Sequence, residues 1–207
     1  MIDLTPYRAL IFDMDGTLVE SGPLHEIAWR ETLERYGLPI LPALMRSLAG
    51  VPTRQTLEIV ARESGVSLPA PVDEMNAFKE ARVSELAPRY VKATALGNLA
   101  LEQNGLRPMA VGTGADTDEA RRILDHCGLL SLFDVVVGAD QVQHPKPAPD
   151  TFLACARALD HPPHECVVFE DADLGIEAAQ AAGMAVIDVR SRFQFVNEYF
   201  LADEAVG

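Results

Sequence analysis

Cysteine is scarce, at three residues, Cys127, Cys155 and Cys166, and no Cys-x-x-Cys pair occurs. An odd number at wide spacing supports neither a disulfide framework nor a zinc site, so reduced core cysteines in a cytosolic protein are expected. Basic residues are also few: 17 Lys and Arg stand against 31 Asp and Glu, a formal charge of −14. Without a basic stripe, an acidic chain argues against nucleic acid and against an anionic membrane surface. An anionic substrate would need a local cationic device to overcome that field, a first pointer to a metal. No apolar stretch approaches the ~18 residues of a membrane span. The segment Met1 to Pro6 has neither a basic region nor a long apolar one, so no signal peptide is read and a cytoplasmic location is expected. Internal repeats and low-complexity segments are missing too.

What remains is an ordinary globular composition of 207 residues, 48% hydrophobic and 23% charged. The run Ala9-Leu10-Ile11-Phe12 does not alternate, which predicts a strand buried on both faces. The next part of the chain has helical spacing only. Helices are expected over 22–36, 41–48, 54–63 and 72–86, with Gly37 and Gly65 as stops. After a helix over 91–104, strands and helices alternate. Strands are read at 108–111, 133–137, 166–169 and 184–189. Ala120, Ile123, Leu124 and Cys127 mark an amphipathic helix, as do Phe152, Cys155, Ala156 and Leu159. A helix over 174–182 is expected to have Asp173 as its N-cap. Such alternation predicts an α/β fold with a parallel sheet and right-handed crossovers. The core is assigned to residues 1–16 and 87–207, and residues 17–86 form an all-helical cap inserted after the first strand. The aromatic tail (Phe193, Phe195, Tyr199, Phe200) could pack on the core or frame an interface, and oligomeric state stays open.

The chemistry gathers at strand ends. The first strand runs into Asp13-Met14-Asp15-Gly16-Thr17. Side chains two apart on a straight strand face opposite ways, so for both aspartates to serve one site the chain must coil after Asp13, and Gly16 permits that. Later strands lead to Thr113-Gly114, to Lys146 and to Glu170-Asp171. In a parallel sheet these ends share one edge, where open α/β sheets keep their ligands. Four carboxylates beside a single lysine repel one another. A hard divalent cation with oxygen ligands resolves this; Mg²⁺ suits a phosphate site, whereas the ligand pattern of calcium-binding EF-hands is missing. Asp150 and Asp173 fit helix starts better than catalysis.

These motifs, in order and spacing, resemble the four motifs of the haloacid dehalogenase-like hydrolases. Lys146-Pro147-Ala148-Pro149-Asp150 and the glycine and alanines after Glu170-Asp171 resemble the β-phosphoglucomutase-like subgroup with a helical cap. Within it the likeness is strongest to small sugar phosphatases, over about residues 7–190. The resemblance implies a Rossmann-like sheet core and a Mg²⁺-dependent phosphatase for small sugar phosphates such as fructose 1-phosphate or 6-phosphogluconate. It implies Asp13 as nucleophile, Asp15 as proton carrier and as metal ligand through its backbone carbonyl, and Glu170 and Asp171 as further ligands, with Asp13 also on the metal. Thr113 and Lys146 would hold phosphoryl oxygens, with the Gly114 amide beside them. In the cap, His25, Arg54 and Lys79 stand where the subgroup binds substrate; each also has a plain reading as a surface group. One departure bears on the reaction. The mutases carry a lysine where this chain has Asp116, and an aspartate there repels a second phosphate. A β-phosphoglucomutase-type isomerase is therefore the second reading, dehalogenation is weaker, and a catalytically silent binding protein is the reading from another class.

Overall fold

The computed structural model describes residues 2–195 and 199–200. Ala9–Phe12 forms β1, fully buried, and it lies in the middle of the sheet. Met109–Gly112 (β4) pairs with it on one side and Cys166–Glu170 (β6) on the other, both parallel. Val135–Val137 (β5) and Ala185–Asp188 (β7) complete the order β5-β4-β1-β6-β7. Successive side chains of a strand alternate between faces, and the two cores divide accordingly. Leu10, Phe12, Met109, Val111, Val167 and Phe169 pack with residues of the helices Ala95–Gln103 (α5) and Thr117–His126 (α6). Ala9, Ile11, Ala110, Cys166 and Val168 pack with those of Asp150–Ala158 (α7) and Asp173–Ala181 (α8). Having helices on both faces is why these strands are apolar throughout. The α/β expectation holds.

Four helices interrupt the core after β1: Gly22–Arg35 (α1), Pro42–Ser47 (α2), Thr53–Glu63 (α3) and Val72–Tyr90 (α4). They enclose a separate cluster of Trp29, Leu33, Leu38, Met45, Leu57, Val60 and Met75. Tyr199 and Phe200 sit in this cap cluster, while Phe193 and Phe195 pack against the sheet core. The rest of the aromatic tail, 196–198 and 201–207, lies outside the described residues. Cys155 and Cys166 are buried and Cys127 is partly so, all as free thiols.

Several boundaries differ from the sequence reading. Helix α4 continues past residue 86 to Tyr90 despite Pro88, because the amide of Val91 still closes the last turn on the Ala87 carbonyl. Lys92–Ala93 (β3) is not helical. It pairs antiparallel with Val19–Glu20 (β2), making the two-residue ribbon from which the cap departs. So short a pairing leaves no periodic trace. Helix α5 starts only after Thr94, whose hydroxyl caps the Leu96 amide and donates to the Thr17 carbonyl at 2.6 Å. Asp173 is not an N-cap; it is the first residue of α8 and pairs with Arg190 at 2.8 Å.

The residues just before the acidic strand ends lock the sheet. The rings of Phe12 and Phe169 stack at 4.6 Å with 5° between their planes, both fully buried. Truncating a buried phenylalanine loses transfer energy and leaves a cavity. Phe169→Ala should lower the unfolding free energy in urea by about 3–5 kcal/mol; an unchanged midpoint would show that this stack does not hold the strands.

Candidate active site

Beyond β1 the chain winds tightly. The Met14 carbonyl accepts the amides of Thr17, Leu18 and Val19, and Gly16 takes φ +82°, a left-handed conformation that other residues enter at a cost. The coil gives the two aspartates different neighbours. Asp15 accepts from the Ser21 hydroxyl at 2.5 Å and meets His25 Nε2 at 3.0 Å. Asp13 accepts from Lys146 Nζ at 2.6 Å. Burial raises the Asp13 carboxyl well above its ordinary pKa, and Glu170 and Asp171 add to that more than Lys146 offsets. Burial also pushes Asp15 upward, but His25, Ser21 and Lys79 outweigh it and hold the carboxyl below its ordinary value.

The sheet register delivers the rest. Phe12 lies level with Val111 and Phe169, so the ends of β4 and β6 flank Asp13. Thr113, directly after β4, is buried, and its hydroxyl accepts the Ala115 amide at 3.1 Å. The loop between β5 and α7 carries Lys146 inward. That ammonium bridges Asp13 and, at 2.8 Å, Glu170 Oε2. The other Glu170 oxygen accepts the amides of Asp171 and Ala172. Helix α8 must leave room for this carboxylate, since a Cβ on Gly175 would lie 1.9 Å from Glu170 Oε2. The Thr17 hydroxyl reaches Asp171 at 3.3 Å.

Asp13, Glu170 and Asp171 each offer an oxygen within 4.8 Å of the others, all three side chains buried. Three carboxylates so close, against one lysine, fit a hard divalent cation, and oxygen-only donors suit Mg²⁺ or Ca²⁺ rather than a softer metal. The Asp15 carboxylate is outside this cluster, engaged by Ser21 and His25.

Above the strand ends the cap closes a cleft of about 620 Å³ lined by Asp13, Asp15, Thr113, Glu170 and Asp171 together with cap residues. All the sequence-predicted cap residues line it, in different ways. His25 touches Asp15. Lys79, on α4, is buried next to Glu119 of α6. Arg54 is half exposed and engaged by two acids, Asp73 at 2.8 Å and Asp116 at 3.6 Å. Asp116 also faces Glu80, and burial plus that contact raise the Glu80 carboxyl to about 6. Gly114 lies directly beneath the cap loop: a Cβ there would sit 2.1 Å from the Gly50 carbonyl oxygen. Sequence reasoning missed Ser21, Trp29 and Glu119. Ser21, just before α1, and Glu119, in the first turn of α6, belong to no motif, and Trp29 reads as one more apolar position of α1.

Residues 7–183 match the profile of the family described as hydrolase, haloacid dehalogenase-like hydrolase. The chain belongs to the haloacid dehalogenase-like hydrolases. Over 184 residues it is 44% identical to the fructose-1-phosphate phosphatase YqaB of Escherichia coli, covering 89% of this chain and 97% of that protein. A phosphorylated carbohydrates phosphatase of Thermotoga maritima is 35% identical, with coverages of 86% and 82%. Among solved structures, CbbY of Rhodobacter sphaeroides in complex with phosphate superposes with a TM-score of 0.78 at 26% identity, covering 88% of this chain and 85% of that one. The family's members generally use a divalent metal, in keeping with the acidic cluster. Among the described residues no helix is long and apolar enough to cross a membrane.

The approach of Gly114 to Gly50 makes the closed cap testable through Trp29, the single tryptophan, which lines the cleft and is 5% exposed. Gly114→Ala should push the loop off the core and shift the tryptophan emission to longer wavelength. Emission identical to wild type would contradict this cap–core contact.

Proposed function

We propose that this hydrolase releases inorganic phosphate from small sugar phosphates with Mg²⁺ as its metal. The observation that carries the reading is the buried cluster of Asp13, Glu170 and Asp171, which line the cleft beneath the cap, with Lys146 bridging Asp13 and Glu170. An ammonium has three donors; two reach carboxylates here, and the group lies 4.6 Å from the centre of the Phe152 ring, its positive charge placed beside Asp13 where a phosphoryl oxygen would be held. Thr113 and the Gly114 amide hold further oxygens.

In the proposed reaction an Asp13 oxygen attacks phosphorus, the bond to the sugar oxygen breaks, and an aspartyl-phosphate forms. The departing oxygen takes a proton from Asp15. Alone with His25 and Ser21, Asp15 holds its proton weakly; a phosphate dianion arriving close by raises its proton affinity, as any near negative charge does. Water then attacks the aspartyl-phosphate and returns a proton to Asp15, regenerating Asp13. Asp13, Glu170, Asp171 and the Asp15 backbone carbonyl would hold Mg²⁺, which would supply positive charge to the phosphoryl oxygens. Monoester hydrolysis can require up to ~10²¹-fold acceleration, more than one group supplies, which accounts for the concentration of functional groups at the strand ends.

Hydrolysis is preferred over a mutase reaction because of Asp116. It stands in the cleft against Arg54 and Glu80, so a second phosphate would meet carboxylates and an arginine already engaged. The Escherichia coli and Thermotoga maritima relatives, both described as phosphatases of phosphorylated carbohydrates, support the same choice. The test is phosphate release from fructose 1-phosphate. Chelating the metal should abolish it and Mg²⁺ should restore it, while Asp13→Asn should lower kcat by roughly a thousandfold or more. Full activity in that variant would refute the nucleophile.

A further inference from the structure

The cleft holds a second charged couple that the chemistry above does not use. Glu119, on the core helix α6, and Lys79, on the cap helix α4, have side chains only 4% and 6% exposed, yet their charged atoms stand 3.8 Å apart. That is beyond hydrogen-bond length. Glu119 Oε1 has no hydrogen-bond partner among the described residues although it is buried. A buried carboxylate oxygen without a donor is costly, and natural structures avoid it unless something else completes the site. Beside the couple lies the face of Trp29, 5.9 Å from Lys79 Nζ. All three line the cleft with Asp13 and Asp15.

The gap fits a group that donates to a carboxylate and accepts from an ammonium at once. A hydroxyl does both; a phosphate dianion or a carboxylate has no proton to donate to Glu119. We propose that Glu119 is a specificity-determining residue: with Lys79 it reads one hydroxyl of the substrate's carbon skeleton, over Trp29, and it cancels the Lys79 charge so that the cleft rejects a second anionic group. The cancellation is general in this cleft, since Arg54 is engaged by Asp73 and Asp116. The ligand class is thus a polyhydroxylated monophosphate that is neutral away from its phosphate. This rests on the sugar phosphatase reading and narrows it, disfavouring bisphosphates and phosphorylated sugar acids.

The experiment compares fructose 1-phosphate, fructose 1,6-bisphosphate and p-nitrophenyl phosphate, with Mg²⁺, on the full chain. Wild type should prefer the sugar monophosphate to the bisphosphate by at least about tenfold in kcat/KM. Glu119→Ala should reduce kcat/KM for fructose 1-phosphate, mainly through KM, about ten- to a hundredfold more than for p-nitrophenyl phosphate, which has no hydroxyl to read. Glu119→Gln keeps shape and an acceptor but uncovers Lys79, and should raise the bisphosphate-to-monophosphate ratio about tenfold. Ratios within each variant are independent of how much of it folds. Ratios equal to wild type in both variants overturn the proposal while leaving the phosphatase reading intact. Wild-type turnover of p-nitrophenyl phosphate without any sugar ester overturns this inference and the sugar reading together, and no turnover of any ester removes the phosphatase reading itself.

Discussion

The arrangement depends on one electrostatic constraint: Asp13, Glu170 and Asp171 converge in a buried space with Lys146 as the cation touching two of them. Buried like charges resist ionisation, and Asp13 shows it, its carboxyl held far above the ordinary range. The fold accepts this through local devices. The Ala172 and Asp171 amides fix Glu170, Thr17 reaches Asp171, and Gly175 withholds a side chain where the Glu170 carboxylate must lie. What they leave is a negative pocket whose oxygen donors fit a divalent cation.

The same constraint orders the two aspartates of the first loop. Asp13 is drawn to Lys146, and Asp15 is turned by Ser21 and His25 into a different electrostatic setting. Without metal or phosphate the split runs opposite to what a nucleophile and a proton donor need, Asp13 high and Asp15 low; a divalent cation against Asp13 would lower the one and a phosphate dianion near Asp15 would raise the other. The coil that separates them rests on the left-handed Gly16 and on the Met14 carbonyl. A ribbon of four residues, β2 and β3, then launches the cap over the site. Docking of the cap brings Gly50 onto Gly114 and α4 onto α6, so that cap residues and the acidic strand ends line one cleft.

Much of this was legible in the sequence because the core motifs lie at the ends of apolar strands, where the parallel topology has only one place to put them. Asp13, Thr113, Lys146 and Glu170-Asp171 were read in this way, and the sheet brings all of them to one edge. Features that depend on the cap docking were less legible. Glu119 reads as a polar position at the start of an amphipathic helix, and only α4 settling on α6 makes it a buried acceptor facing Lys79. Arg54 reads as a free cation for substrate, yet folding brings Asp73 and Asp116 to it from distant points in the chain. Ser21 carries no periodic or motif signal; its role exists only because the first loop aims Asp15 at it. The two-residue ribbon was too short for any pattern, so α5 was expected to begin a few residues early.

The central claim is that the clustered carboxylates are completed by a hard divalent cation. Calorimetric titration of Mg²⁺ into the metal-stripped protein near neutral pH tests it directly. The account predicts saturable binding of one ion per chain, accompanied by a higher thermal unfolding temperature and lost when Asp171 is replaced by Asn. No saturable binding at millimolar Mg²⁺, or binding that survives Asp171→Asn undiminished, would contradict it.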